Sequence, residues 1–462
     1  MTVALTRLAG EFVATLDYRS IPQRALATAK NGFTDCVATA IAGAGEEVTR
    51  IVLESIASRG RDGEAALLVG TERANAPDAA LVNGVAGHVL DYDDVANEGH
   101  PSVTLVPAIL AEGEALGCSG ADALAAYVAG YELWCDLSMR DADPHHHKGW
   151  HPTGVFGAIA AAAACARLRR LDAERTRHAI GLGASMSAGL TSNFGSMAKS
   201  FHAGRAAQSG VLAARLAAAG MTASPDALEH APGFVAAISP HGKIDLEREP
   251  AFGREWGIER FGLNIKLYPV CYCCQRALDA LFALHAARPF AVQEVRRITA
   301  RMSPTSALIL KNHRPQTGLD AKFSIEFALA AALIAGKVGL DELTDAFVRR
   351  AEVQALIPLI GVEPLTEPDP EMPAFSLYEE VAVELAGGET LTSPQVRCAR
   401  GHVGNPLSRD ELWQKFRECL GPRFAAAQAQ RMFDLLQNLE RVSALGEIAH
   451  ALAPLRPARA AG

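Results

Sequence analysis

Residues 155–166 read Val155-Phe-Gly-Ala-Ile-Ala-Ala-Ala-Ala-Ala-Cys-Ala166, an uncharged run that is mostly alanine. Alanine is the best helix former because it loses no side-chain freedom in a helix. A helix of so narrow a girth can be approached closely from all sides. The run is too short and too weakly apolar to span a bilayer, so it reads as the buried centre of a helical bundle. Outward from it, Gln23–Ala42 (stopped by Gly43), Pro77–His88, Ser102–Leu116, Gly120–Ser138 and Ala173–Leu190 carry apolar residues at helical spacing. Gly, Pro or Asp punctuates each gap. Composition agrees. Hydrophobic residues make up 49% and aromatics only 6%, so Ala, Leu, Val and Ile must fill the core.

The texture changes near Leu263–Pro269. Val295–Ser303 alternates like a strand, and Val381–Leu385 and Leu391–Cys398 flank Gly387-Gly388 as a hairpin. Helical stretches at Ala321–Ala335 and Asp341–Ala355 lie between them. Ser408-Arg-Asp-Glu411 has the form of a capping box opening a helix to Leu420, and Pro422–Leu436 and Ser443–Leu452 follow. The tail Pro454–Gly462 is expected to fray. The expected fold class is therefore mainly α. A large helical domain is built from residues 1–262 and 401–462, with a smaller α+β domain, 263–400, inserted between them.

Chain-wide properties remove several function classes. A formal charge of −8 leaves no electrostatic footprint for nucleic acid or an anionic membrane. An anionic substrate would need a local cationic pocket. Nine cysteines without regular spacing do not form a disulfide framework and suit a reducing compartment. Arg7, Glu11 and Asp17 interrupt any signal-peptide apolar region. A soluble cytoplasmic protein is expected, with no G-x-x-x-x-G-K-[ST] or G-x-G-x-x-G motif.

Five clusters could carry chemistry. His88-Val-Leu-Asp91-Tyr-Asp93-Asp94 and His100-Pro-Ser102 combine imidazoles with carboxylates, the groups that transfer protons near neutral pH. Their bland reading is helix capping by Asp93 or Asp94. Asp141 to Gly154 holds His145, His146, His147 and His151. Consecutive side chains diverge, so a metal set is disfavoured, and His151 is the better catalytic candidate. Thr153 could cap the following helix, whose N-terminus favours an anion. Ser196 to Gly210 places Lys199, Ser200 and His202 beside a run of small residues. In Lys266-Leu-Tyr268-Pro-Val-Cys271-Tyr-Cys273-Cys274-Gln275-Arg276, three close thiols without distant partners read as packing cysteines. Lys266 and Arg276 suit substrate carboxylates. The last cluster, Gly318 to Glu326, offers Lys322, its Asp320 and Ser324 reading as helix caps.

In this order, these segments resemble the MmgE/PrpD family of 2-methylcitrate dehydratases, cis-aconitate decarboxylases and iminodisuccinate epimerases. The matching signatures are His88-x-x-Asp91-x-Asp-Asp94, His100-Pro-Ser102, Gly149-Trp-His151-x-Thr-Gly154, Lys199-x-x-His202-x-Gly204, Lys266-x-Tyr-Pro-x-Cys271, Ala321-Lys-Phe-Ser324 and Gly404-Asn-Pro-Leu-Ser408. The resemblance implies a helical main domain with an α+β lid, a homodimer, an active site in the cleft between domains, and no metal or organic cofactor. It makes Asp91, His100, His151 and Lys199 the candidate catalytic residues. Lys266, Arg276, His202, Lys322 and Tyr268 become candidate contacts for a small polycarboxylate. Two positions depart from the family pattern. Gln275 stands where many relatives carry histidine, and Val95 where threonine is common.

The chemistry so implied is proton transfer at a carbon next to a carboxylate. Cations would stabilise the developing enediolate-like charge, while His100 or His151 acts as base and acid with Asp91 orienting one of them. Loss of hydroxide gives dehydration, loss of carbon dioxide gives decarboxylation, and reprotonation on the opposite face gives epimerisation. Lyase chemistry ranks first. The alternatives are an epimerase, which the altered position 275 favours, a non-catalytic dimeric binding protein, and a metal-dependent hydrolase built on His145–His151.

Overall fold

The computed structural model describes residues 2–60, 62–370 and 375–452; the segment 454–462 lies outside them. The chain divides into two compact units, Met1–Leu263 with Arg409–Gly462, and Asn264–Ser408. The fold is mainly α, and none of the described helices is long and apolar enough to cross a membrane.

The first part of the larger unit contributes helices α1 (Leu5–Thr15), α2 (Gln23–Ala42), α3 (Glu47–Ser55), α4 (Ala76–His88), α5 (Ser102–Leu116), α6 (Gly120–Ser138), α7 (Pro152–Leu168), α8 (Ala173–Ser185) and α9 (Ala198–Ala218). Local chemistry sets several of their ends. The Asn75 side chain accepts from the Asp78 N–H ahead of α4, and Ser119 and Asp122 form a reciprocal capping box on α6. Gly117, at φ 67°, closes α5 in the left-handed conformation.

The alanine-rich α7 is the centre of the unit, with Ala160–Ala164 fully buried. Helices α4 and α9 pack on one another through Gly84 and Gly204. A Cβ on Gly84 would lie 2.7 Å from the Gly204 Cα, and one on Gly204 would strike the Leu81 carbonyl oxygen. Such an approach brings the end of α4 beside the start of α9, which matters for the site below.

The sequence-based helix Ala173–Leu190 stops early, at Ser185. Beyond it, Gly189 takes φ 147° and Leu190 bridges to Trp150, so residues 186–190 turn back along the start of α7. The expected caps also differ. The residue preceding α5 is Pro101, which has no side-chain cap to give. Thr153 lies within α7, whose N-cap position is His151, and its hydroxyl accepts the His100 N–H at 3.2 Å.

The smaller unit holds α10 (Gln275–Ala287), strand β1 (Val295–Met302), α11 (Ile325–Ala335), β2 (Ile360–Pro364), β3 (Glu380–Leu385) and β4 (Thr390–Thr392). The sheet order is β2-β1-β3-β4, with β1 parallel to β2 and the other pairs antiparallel. Ile298 faces Ile360 on one side and Val383 on the other. These residues join α10 and α11 in the unit's core. Gly388, at φ 85°, makes the expected hairpin turn. The strand after it ends at Thr392, short of Cys398, ahead of Pro394, which has no N–H to give to a ladder. The expected helix Asp341–Ala355 is broken into turns at Leu340–Leu343, Asp345–Val348 and Ala351–Leu356. The Thr344 side chain accepts the Phe347 N–H and restarts the chain there. Likewise Ser324 restarts the chain at α11 by accepting the Phe327 N–H.

After the smaller unit the chain completes the larger one with α12 (Arg409–Leu420), α13 (Ala426–Gln437) and α14 (Gly446–Leu452). Helix α12 packs on α2.

Candidate active site

Four helix ends of the larger unit converge. Helix α4 ends at His88, and three residues later Asp91 takes the left-handed conformation, φ 50°. That conformation costs a non-glycine residue free energy and concentrates at functional sites. It turns the chain so that Asp91 and Asp93 serve different partners. Helix α5 follows His100, α7 follows His151, and α9 carries Lys199 and His202 in its first turns. Three helix N-termini therefore bring positive dipole ends to one region, a setting that favours an anion.

The Lys199 Nζ donates to Asp91 Oδ1 at 2.7 Å, and both side chains are buried. His100 Nε2 lies 3.9 Å from the same oxygen, while its Nδ1 lies 3.0 Å from Asp93 Oδ2. His88 Nδ1 is 3.0 Å from each Asp93 oxygen. The rings of His88 and His100 meet edge to face, with centroids 4.4 Å apart, and His88 also lies beside His151. His151 Nδ1 is 3.0 Å from His202 Nδ1, so one ring must donate and the other accept. Phe194 presses edge-on against His151 and lies under the Lys199 ammonium.

Burial decides the charge states. It lowers His88 to about 4, against the pull of Asp93, with Lys199 adding to the lowering. Burial also lowers His202 to about 4, helped by His88 and Lys199, and takes His151 well below the usual histidine range. These rings are neutral near pH 7 and able to accept a proton. For Asp93, burial raises the carboxyl, but His88 and His100 outweigh it and hold the group well below the usual range. Asp94 goes the other way: burial, then the Asp35 charge, raises its carboxyl well above the usual range. Behind these acids, Lys415 of α12 pairs with Asp35 at 2.6 Å and donates to the Tyr92 carbonyl at 2.7 Å.

Thus Asp91, His100, His151, Lys199 and His202 are brought together. Asp93, His88, Asp94, Asp35 and Lys415 join them without having been singled out as site residues. The spacing His88-x4-Asp93-x6-His100 was the available signal for the first two.

Among the described residues, the group whose donor atoms lie close enough for a metal is His88, Asp91, Asp93 and His100, within 4.8 Å of one another. Here Asp91 already holds the Lys199 ammonium and Asp93 holds His88, so the positive charge at the site is the lysine's. The run His145–His147 gathers no such set. His145 pairs with Glu98, 3.2 Å away, and packs against Phe156.

Within the smaller unit, Lys266 and Lys322 are buried. Tyr268 donates its hydroxyl to Asp279 at 2.8 Å. Arg276 forms a buried ion pair with Glu379 at 3.0 Å and donates to the Ser376 carbonyl at 2.9 Å. Its guanidinium is engaged by the fold rather than held out to a substrate. Gln275 is fully buried, with its carboxamide accepting the Tyr268 N–H and donating to the Tyr268 and Val270 carbonyls. It brackets the Lys266–Val270 turn. Cys271, Cys273 and Cys274 are buried and form no disulfide among the described residues.

The chain matches two family models, the MmgE/PrpD N-terminal domain over residues 7–247 and the MmgE/PrpD C-terminal domain over residues 268–441. Cis-aconitate decarboxylase of Mus musculus is 27% identical over 376 residues, covering 78% of this chain and 75% of that protein. The Homo sapiens cis-aconitate decarboxylase is equally similar, at 27% over 376 residues. The cis-aconitate decarboxylase-like protein oryM of Aspergillus oryzae is 26% identical over 463 residues, covering 95% of each chain.

Proposed function

The chain belongs to the MmgE/PrpD family, and from that premise we propose that it is a cofactor-independent lyase acting next to a carboxylate of a small di- or tricarboxylate. The observation that carries this reading is the buried Asp91–Lys199 pair with His100 Nε2 beside it. An arriving carboxylate competes with Asp91 for the ammonium. Lys199 then lies against the part of the substrate where negative charge grows during proton transfer, and a neutral imidazole stands within reach of the carbon. Decarboxylation heads the reaction list because the relatives named above are cis-aconitate decarboxylases. In that reaction His100 or His151 takes up a proton from water and gives it to the alkene carbon as the adjacent C–C bond breaks, its electron pair staying with the carbon chain while carbon dioxide leaves. In dehydration the same imidazole removes a proton and hydroxide departs.

Lys266 and Lys322 complete the proposed contacts for substrate carboxylates, and a homodimer is the proposed assembly. The altered position 275 gives no reason to prefer epimerisation, since Gln275 is engaged by backbone groups.

The test is proton NMR of the purified protein in D₂O, without added metal, against cis-aconitate, citrate, 2-methylcitrate and iminodisuccinate. Loss of carbon dioxide or water with deuterium entering beside a carboxylate is expected. Inversion alone would make it an epimerase. Binding of these anions without exchange or product would sink the lyase reading in favour of a binding protein.

A further inference from the structure

Three acids stand within four positions, Asp91, Asp93 and Asp94, and each has a different environment. Asp91 takes the lysine. Asp94 is raised well above the usual carboxylate range by burial and the Asp35 charge. Asp93, fully buried, lies between two imidazoles: it is hydrogen-bonded to His88 Nδ1, and its Oδ2 lies at ion-pair distance, 3.0 Å, from His100 Nδ1. His88 Nδ1 is 3.0 Å from each of the two Asp93 oxygens, so the ring engages both sides of the carboxylate. His88 Nε2 is itself buried and takes no hydrogen bond among the described residues, so only the Nδ1 contact determines its tautomer.

We propose that Asp93 is a positioning residue: a carboxylate shared by His88 and His100 that keeps the proton of each ring on Nδ1, so that His100 Nε2 is the atom that exchanges a proton with substrate. The assignment rests on the proposed role of His100 in proton transfer. The balance is simple. When substrate carbon loses a proton, it goes to His100 Nε2, the electron pair of the C–H bond stays with the substrate, and the Nδ1–H remains in place. Asp93 takes no proton; it lies 3.0 Å from the imidazolium that forms and stabilises it. In the reverse direction the imidazolium returns the Nε2 proton to carbon. A carboxylate already held by His88 cannot swing away as His100 changes charge, so little reorganisation accompanies the transfer. The low-lying Asp93 carboxyl accords with this geometry, since both imidazoles favour its ionised form.

The charged and titratable groups around His100 among the described residues are Asp91, Asp93, His88, Lys199 and His151. Removing the Asp93 charge leaves Lys199 and Asp91 in place, so the base becomes less basic.

Long-range proton–nitrogen correlation spectra of the full-length chain labelled with ¹⁵N-histidine test the tautomers directly. His88→Gln and His100→Gln assign the signals. Both rings are expected as Nδ1–H tautomers in the unsubstituted protein; a proton on Nε2 of His100 would overturn the proposal. This reading needs no substrate, so it stands apart from any failure of the lyase assignment. On whichever substrate the enzyme turns over, Asp93→Asn should lower kcat by roughly 10²-fold or more. KM should change by less than about threefold. The acidic limb of the kcat profile should move to lower pH, because the neighbouring negative charge is gone. A kcat loss with an unmoved pH profile would mean that Asp93 only supports the fold. His88→Gln should cause a smaller loss with the same direction of shift.

Discussion

Burial in α6 raises the Glu132 carboxyl to about 7, even though the Gly257 and Ile258 N–H groups donate to it and favour its charged form. A carboxyl whose folded pKa exceeds its unfolded value stabilises fully below the unfolded value, near 4.3, and the contribution is lost as pH rises through 7. Glu132→Gln removes that loss. The variant should therefore gain on the wild type between pH 5 and pH 8, by up to about 3 kcal/mol, read from urea midpoints at both pH values. A difference that does not change with pH would refute it. At the proposed site, His100→Ala and Lys199→Ala should each lower turnover by about 10²-fold or more with unchanged circular dichroism. Full activity in both would remove them from the chemistry. The sequence made Asp91, His100, His151 and Lys199 visible because such residue types in ordered motifs stand out in a string. Asp93 was not separable from Asp94 there. The opposite directions in which their carboxyls are shifted follow from a backbone turned at Asp91 and from Asp35, far away in the chain, and neither is written in the local sequence.

Helix α9 reaches the site only because it lies nearly backbone to backbone with α4. Gly204→Ala would push a Cβ into the Leu81 carbonyl oxygen and Val85, both parts of a rigid helix. The helices would have to part, at about 1–3 kcal/mol, and Lys199 would move with α9 relative to Asp91. Thermal unfolding should fall, and activity should drop by more than the stability loss explains; unchanged values for both would show that the contact can give. The small residues that permit this approach are also why the helical pattern was readable, since α2, α5 and α6 begin and end where Gly, Pro and Ser signals put them. Misreadings fell where side-chain caps or a positive φ interrupt a continuous apolar pattern, at Thr344, Ser324 and Gly189. Such interruptions depend on single hydrogen bonds that periodicity does not record.

Across the larger unit, Lys415 is a buried tie, one of several, between the two stretches of chain that form it. Its ammonium is buried against Asp35, against the Tyr92 carbonyl and over the Tyr92 ring. Lys415→Met leaves the Asp35 charge buried without its cation, which costs roughly 3–5 kcal/mol. Denaturant unfolding should show that loss, and adding Asp35→Leu should recover much of it. A single variant within 1 kcal/mol of the wild type would mean that water already reaches the pair. Tyr92 stands between Asp91 and Asp93, so the same ammonium supports the backbone that spaces the two carboxylates of the site.

A ribosome makes Lys415 323 positions after Tyr92, on the order of half a minute later at typical elongation rates. Throughout that interval the nascent loop around Tyr92 must wait, with Asp35 in water and no counter-ion to draw it inward. The packing behind the proposed site is therefore a late event in the life of each molecule. A message that stalls before α12 would yield helices without a finished centre, and quality control would meet a chain whose acids are still hydrated.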